Sequence, residues 1–272
     1  MNTERTYTII VVTRNNAQGL ERTLQSIRSL QYSQKETIVI DGASTDNTKD
    51  IVSNYEDLIT TFVSEKDTGL YNAMNKGIKY IKGDYVVFMN AGDIFANENV
   101  LSMVNAYDGD IILGSESYGG KLRLVKKEMT LYDLLSIGIN HQAVYYRKDV
   151  LQKYGFDESY RLTADLKSVV EPLVKDRIKL SCTTDLLAIC EGGGTSEVQW
   201  RDTLVENNRM VDELIDPFYK DDYLRFARIN NGMLQHFIVL SHFRSLFPLL
   251  KLPSKLARFI NKKFKHIPLN NH

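Results

Sequence analysis

Ser64–Asp93 reads SEKDTGLYNAMNKGIKYIKGDYVVFMNAGD, and the order of its features decides the fold. An acidic strand end comes first, at Asp67. A helix follows, with Tyr71, Met74, Ile78 and Ile81 on one face and Gly83 as its stop. Asp84–Met89 is then a β-branched and aromatic run of the kind buried on both faces of a parallel sheet. The stretch closes on a small, tight turn, Asn90-Ala91-Gly92-Asp93. Asp67 and Asp93 thereby stand at the carboxyl ends of strands, where ligands bind in an open α/β sheet. A carboxylate beside a small residue suits a divalent cation, which takes one or two carboxylates and completes its shell with phosphate oxygens and water. An ordinary strand-to-loop aspartate has the same local sequence, so the metal reading needs a partner elsewhere in the chain.

Working upstream, Tyr7–Thr13 (YTIIVVT) is a continuous apolar strand, followed by Leu20, Leu24 and Ile27 at helical spacing. Thr37–Ile40 is a second strand ending at Asp41-Gly42, and Asp50–Leu58 a helix that Ser44, Thr45 or Asp46 can cap. Thr61–Ser64 is a short third strand. This βαβαβαβ alternation predicts an α/β fold with a parallel sheet, right-handed crossovers and helices on both faces. Downstream the rhythm breaks. Strands are expected at Asp110–Gly114, Ile178–Ser181 and Leu186–Ile189, with a hairpin over Tyr118–Lys126 around Gly119-Gly120. Helices are expected at Asp149–Tyr154 and Ala164–Lys175, a loop at Gly192-Gly193-Gly194, and a mostly helical remainder from Val198 broken at Pro217, Pro248 and Pro253.

The strand-end turns Thr13-Arg14-Asn15 and Asp41–Asp46 fall on the same sheet edge as Asp67 and Asp93. A carboxylate there can accept hydrogen bonds from a base or ribose; Asp41 is equally a turn residue before Gly42, and Asp46 a helix cap. DGASTDN lacks the spacing of a calcium loop, no G-x-x-x-x-G-K occurs, and no G-x-G-x-x-G follows the first strand. Nucleotide hydrolases of the phosphate-loop type and dinucleotide enzymes are thus disfavoured.

IVVTRN, IVIDGASTDNT, SEKDTGLYNAMNKGI and GDYVVFMNAGD, in that order, resemble the family 2 glycosyltransferases of the GT-A fold, in the branch that builds bacterial surface polysaccharides and lipid-linked glycans. The resemblance covers about residues 5–200. It implies that Thr13, Asn15, Asp41 and Asp67 line the nucleotide pocket, with Asp41 near the base, and that Asn90–Asp93 matches the metal motif. Asn90 is then expected near the donor, His141 near the donor sugar or the acceptor, and Asp93 as metal ligand, alone because Gly92 fills the earlier acidic position. Asn140–Ala143, Gly155–Ser159 and Thr163–Leu166 resemble the acceptor-side run, which places the catalytic base at Asp165. A base is required because the acceptor hydroxyl loses a proton as it attacks the anomeric carbon. Lys167 departs from the resemblance, since the family often carries an acid two places after this aspartate. A structural histidine is the alternative for His141. Gly192–Ser196 reads either as a diphosphate nest or as a connection, and Trp200 and Arg201 as residues that could close over donor.

The implied reaction is inverting transfer of a hexose or N-acetylhexosamine from a nucleotide sugar, expected to be UDP-linked, to a glycan or lipid-linked acceptor, with Mn2+ or Mg2+ as cofactor. The rivals are a metal-dependent nucleotidyltransferase, which lacks its basic Gly-rich signature here, and a non-catalytic membrane- or polysaccharide-binding relative, kept open by Gly92 and Lys167.

Composition adds an asymmetry. The chain has 272 residues and 34 basic against 34 acidic side chains, yet nine Lys/Arg and no Asp/Glu lie in 223–272. Residues 1–222 therefore carry 25 basic and 34 acidic side chains. Phe237, Phe243, Leu246, Leu249, Phe259 and Ile260 interleave with these bases, which suits a helix at an anionic membrane surface; a helical appendage with a solvated basic face is the alternative. No nucleic-acid recognition motif accompanies the charges. The expected organisation is a catalytic domain over 1–200, with a nucleotide-sugar half (1–93) and an acceptor half (94–200), then a basic amphipathic region over 201–272. Residues 1–15 show no signal peptide, and no apolar run reaches the ~20 residues of a spanning helix. Cys182 and Cys190 form neither a metal pattern nor a disulfide framework. A cytoplasmic protein, peripheral at the inner membrane face, is expected.

Overall fold

Seven successive buried residues make the first strand, β1 (Tyr7–Thr13), the centre of the N-terminal, parallel part of the sheet in a computed structural model that describes residues 4–192 and 200–217. Alternation along β1 sends Tyr7, Ile9 and Val11 to one face, where α1 (Ala17–Ser29) buries Leu20, Leu24 and Ile27. Complete burial of such side chains contributes ~1.5–3 kcal/mol each. β2 (Lys35–Asp41) and β3 (Thr61–Ser64) extend the sheet on one side of β1, and β4 (Tyr85–Asn90) flanks it on the other, all parallel. Helix α2 (Thr48–Asn54) joins β2 to β3, and α3 (Leu70–Ile78) joins β3 to β4.

The chain after β4 completes a mixed sheet of order β3-β2-β1-β4-β8-β6-β9-β5. Its elements are β5 (Ile94–Phe95), α4 (Val100–Asn105), β6 (Ile111–Tyr118), β7 (Lys121–Arg123), α5 (Leu131–Ile137), β8 (Val144–Arg147), α6 (Lys148–Tyr154), α7 (Ala164–Lys175), β9 (Leu180–Cys190) and α8 (Trp200–Leu214). β8 runs antiparallel to both β4 and β6, whereas β6 and β9 are parallel. The α/β class and helices on both faces are as expected from sequence, and β6–β7 is the hairpin expected around Gly119-Gly120.

Several boundaries differ, each for a local reason. Helix α3 ends at Ile78, not Gly83, because Tyr80 and Ile81 donate to the carbonyls of Gly77 and Ile78 in a tightened last turn. Gly83 instead donates to Thr8 Oγ1 at 2.9 Å. Helix α2 is capped at Asn47 without a side-chain bond. Asp46 ties two helix starts together, accepting from Ala17 N–H at 2.9 Å and from the Thr48 hydroxyl at 2.6 Å. The two strands expected at 178–181 and 186–189 are one strand, β9, whose pairing to β6 shifts register near Ser115.

The chain separates into two compact units, Met1–Pro217 and Phe218–His272. The second, with the basic segment 223–272, lies outside the described residues. Among the described residues no helix is long and apolar enough to cross a membrane.

Candidate active site

The turns after β1 and β2 form one hydrogen-bonded unit. Thr13 and Asp41 are register partners at the two strand ends. Asp41 is fully buried and accepts from Ser44 N–H at 3.1 Å, from the Ser44 hydroxyl at 2.5 Å and from the Ser64 hydroxyl at 2.6 Å. Asn15, in the left-handed region at φ 50°, donates its N–H to Ser44 Oγ at 2.7 Å and accepts from Thr45 N–H at 2.8 Å. A Cβ on Gly42 would fall 2.2 Å from Asp67 Oδ2, so the glycine is what admits the Asp67 carboxylate, 3.9 Å from the Arg14 guanidinium. Thr13 Oγ1 is buried without a protein partner. These four residues cluster together but do not line the large cavity beside them.

That cavity, about 630 Å3, is walled by Asn90, Asp93, His141 and Asp165 together with Tyr71 and Arg161. Asp93 sits at the turn after β4 and is nearly buried. Its Oδ1 accepts Glu191 N–H at 3.1 Å and its Oδ2 accepts Gln142 Nε2 at 2.6 Å. Thr23, from α1, braces the turn: its hydroxyl lies 2.8 Å from the Asp93 carbonyl and accepts Gly92 N–H at 2.9 Å. Gly92 has φ 114°, and a Cβ there would meet Glu191 Oε2 at 2.5 Å. The space an acidic side chain would need at position 92 is thus taken by the Glu191 carboxylate, which also pairs with Arg22.

Asp165 lies in the first turn of α7 with its side chain 12% exposed. Its Oδ1 accepts from the Tyr71 hydroxyl at 3.0 Å and from Leu166 N–H at 2.9 Å. Burial, and then the Asp165 charge, push the Tyr71 phenol well above its ordinary range, so it stays a donor. Asp165 Oδ2 is 3.4 Å from His141 Nδ1, while His141 Nε2 is 3.2 Å from Asn90 Oδ1. A neutral imidazole donates from one nitrogen only, an imidazolium from both. The structure therefore brings Asn90, His141 and Asp165 into one chain of contacts and sets Asp93 on the same cavity.

Sequence reasoning passed over Glu191, Gln142 and Tyr71. Glu191 carried a readable signal, a carboxylate before Gly192 at a strand end. Gln142 and Tyr71 carried none, since their partners are 49 and 94 residues away. Gly192 lines the cavity, whereas Gly193–Ser196 and the Trp200 side chain lie outside the described residues. Cys182 and Cys190 are free; burial pushes the Cys182 thiol up to about 11 and raises Cys190 too, so neither is a ready nucleophile.

The donor set fits a hard divalent cation. Asp93 and Glu191 could supply carboxylate oxygens and Asn90 an amide oxygen, and each Asp93 oxygen, accepting one hydrogen bond, keeps further lone-pair capacity. Among the described residues no group of three or more His, Cys, Asp or Glu is arranged to hold a metal alone, so a ligand's own oxygens would have to complete the shell.

Glycosyl transferase family 2 matches residues 8–154. A glycosyltransferase of Mycobacterium tuberculosis is 27% identical over 198 residues, 67% of this chain and 74% of the relative. Among solved structures, Staphylococcus aureus TarS 1–349 in complex with UDP-GlcNAc superposes with TM-score 0.63 at 16% identity, covering 85% of this chain and 75% of that one. The mannosyltransferase PcManGT of Pyrobaculum calidifontis, in complex with GDP-Man and Mn2+, gives TM-score 0.63 at 18% identity, covering 96% and 80%. The family match spans more than half of the chain and includes the strand-end turns and the Asn90–Asp93 motif; the chain belongs to glycosyl transferase family 2 and is a glycosyltransferase of the GT-A fold.

Proposed function

We propose that the enzyme transfers a hexose or N-acetylhexosamine from a UDP-sugar to a glycan or lipid-linked acceptor, with inversion and with Mn2+ or Mg2+. The observation that carries this reading is the placement of Asp93 and Asp165 on one cavity with different tethers. Asp93 is held by an amide and a backbone N–H, Asp165 by a phenol and a backbone N–H, with Oδ2 beside His141. Asp93, Glu191 and Asn90 would hold the cation, which when bound neutralises charge on the leaving diphosphate. Thr13, Asn15, Asp41 and Asp67 would shape the nucleoside end of the site, with the buried Asp41 bracing the turn that carries Ser44 and Asn15.

Asp165 Oδ2 would accept the proton of the acceptor hydroxyl as its oxygen attacks the anomeric carbon. The Tyr71 phenol and Leu166 N–H fix the other carboxylate oxygen, and His141 sets the orientation of Oδ2. Attack from the Asp165 side with departure on the Asp93 side produces inversion. For the rest of the chain we propose a division into a catalytic domain over 1–200 and a helical, basic amphipathic region over 201–272, whose segment 223–272 would draw the enzyme to an anionic membrane surface. Flotation with anionic liposomes, with and without 218–272, tests that last step; equal partitioning of both forms overturns it.

The test of the reaction is a panel of nucleotide sugars with Mn2+ or Mg2+, read by release of the nucleoside diphosphate and by NMR of the product's anomeric configuration. Metal-dependent release from a UDP-sugar with inverted product is expected. Retained configuration, or release indifferent to chelator, would overturn the reading.

A further inference from the structure

The helix that carries Asp165 begins without a cap of its own. Thr163 stands at the N-cap of α7, yet its hydroxyl makes no bond to the first turn of the helix. The missing acceptor comes from another helix. One oxygen of Glu206, on α8, accepts Arg161 N–H at 2.8 Å. The other accepts Leu162 N–H, Thr163 N–H and the Thr163 hydroxyl, each at 3.0 Å. In a capping box a glutamate three places into the helix binds the N-cap N–H; here Leu166 occupies that place and Glu206 acts in its stead from 43 residues away.

Two turns further along α8, Glu213 accepts from the Tyr160 hydroxyl at 2.7 Å and from Lys167 Nζ at 3.0 Å. Lys167 is buried, binds Asp157 at 2.6 Å as well, and lies 4.3 Å over the Tyr160 ring. Arg209, between the two glutamates, covers the same ring at 4.4 Å and donates to Ser159 Oγ at 3.0 Å. Residues 157–163 are therefore tied to α8 or Lys167 at Asp157, Ser159, Tyr160, Arg161, Leu162 and Thr163. Tyr160, Arg161 and Leu162 wall the cavity, and Asp165 follows two residues after the capped threonine. The cation at 167 is what joins Asp157 to Glu213.

We infer that α8 is a clamp through which Glu206 positions both Asp165 and the cavity wall over 160–162, so that Glu206 is a positioning residue of the transfer reaction. The inference rests on the reading of Asp165 as base. A carboxylate taking four donors is a strong, charge-assisted tether, and an anion at a helix N-terminus is favoured by the helix dipole. Without it, the three amides have no partner and the wall is free to move.

Glu206→Ala and Glu206→Gln in the full chain separate the possibilities. A glutamine presents one carbonyl oxygen, so it serves either Arg161 or the Leu162–Thr163 group and cannot serve both. Two readouts are needed: hydrogen exchange of peptides covering 158–166, and hydrolysis of UDP-glucose and UDP-N-acetylglucosamine with Mn2+ and water as acceptor. Exchange over 158–166 should quicken about tenfold in both variants while β1 and β4 are unchanged, and kcat should fall about tenfold with the donor KM within twofold. Unchanged exchange over 158–166, an unchanged kcat, or a KM rising in step with the loss of kcat each overturns the clamp. If Glu206→Ala does not fold, Glu206→Gln alone decides. Asp165→Asn keeps the two readings apart: wild-type hydrolysis by that variant defeats Asp165 as base and leaves the exchange result standing.

Discussion

Replacing Glu116 by glutamine should stabilise the protein at neutral and alkaline pH and leave it unchanged in acid. Glu116 is on β6, 4% exposed, with Oε1 accepting from Asn140 Nδ2 at 2.7 Å and from Arg123 at 3.4 Å, and with Oε2 buried and unpartnered. Burial pushes its carboxyl up from an ordinary 4.5 to about 7, against the lowering effects of Arg123 and His141 and with a small raising effect from Asp165. Between those two values the folded chain holds a proton that the unfolded chain has released. Stability from this site is therefore complete below 4.5, falls as pH rises, and is lost above 7. At ~1.36 kcal/mol per pH unit the whole displacement corresponds to about 3 kcal/mol. Glutamine keeps an oxygen for Asn140 and has no proton to lose. Urea unfolding at a series of pH values is the assay. Equal stability near pH 4.5 and an advantage of about 3 kcal/mol for Glu116→Gln near pH 8 are expected. A difference independent of pH, or a variant less stable than wild type at pH 8, would refute the reasoning.

Gly92→Ala forces a φ of 114° on a residue with a side chain and drives the Glu191 carboxylate aside, so urea unfolding should show a loss of about 1–3 kcal/mol; a loss below about 0.5 kcal/mol would mean the turn relaxes freely. Glu191→Gln should raise the Mn2+ concentration for half-maximal donor hydrolysis about tenfold, whereas an unchanged metal titration would remove Glu191 from the cation site. His141→Ala leaves Asp165 Oδ2 without its imidazole neighbour, and kcat should fall about 100-fold with little change in donor KM. A KM effect alone would make His141 a binding residue.

How much of this was legible in the chain varies with the range of the interaction. The run Tyr7–Thr13 and the periodic Ala164–Lys175 declared themselves, because burial on both sheet faces and a helical stripe are local patterns. β8 went unread: four residues after a single 3-10 turn, His141–Ala143, give no window in which a period can be seen. β9 read as two strands because Thr183 and Asp185 interrupt its apolar pattern, and both are satisfied by each other and by Tyr107. At the site, Asp41, Asp67 and Asp93 were visible as carboxylates ending strands. Glu191 beside Asp93 and Glu206 beneath Asp165 depend on contacts 98 and 43 residues apart, which no spacing rule encodes.

The central claim is that Asp165 removes the acceptor proton while Asp93 serves the donor diphosphate. Single-turnover transfer by Asp165→Asn, with UDP binding measured by calorimetry in Mn2+ on the same preparation, tests it most directly. A fall in rate of at least about 100-fold with UDP affinity unchanged is the predicted result. Transfer at the wild-type rate, or a loss of rate that merely tracks lost UDP binding, would contradict it.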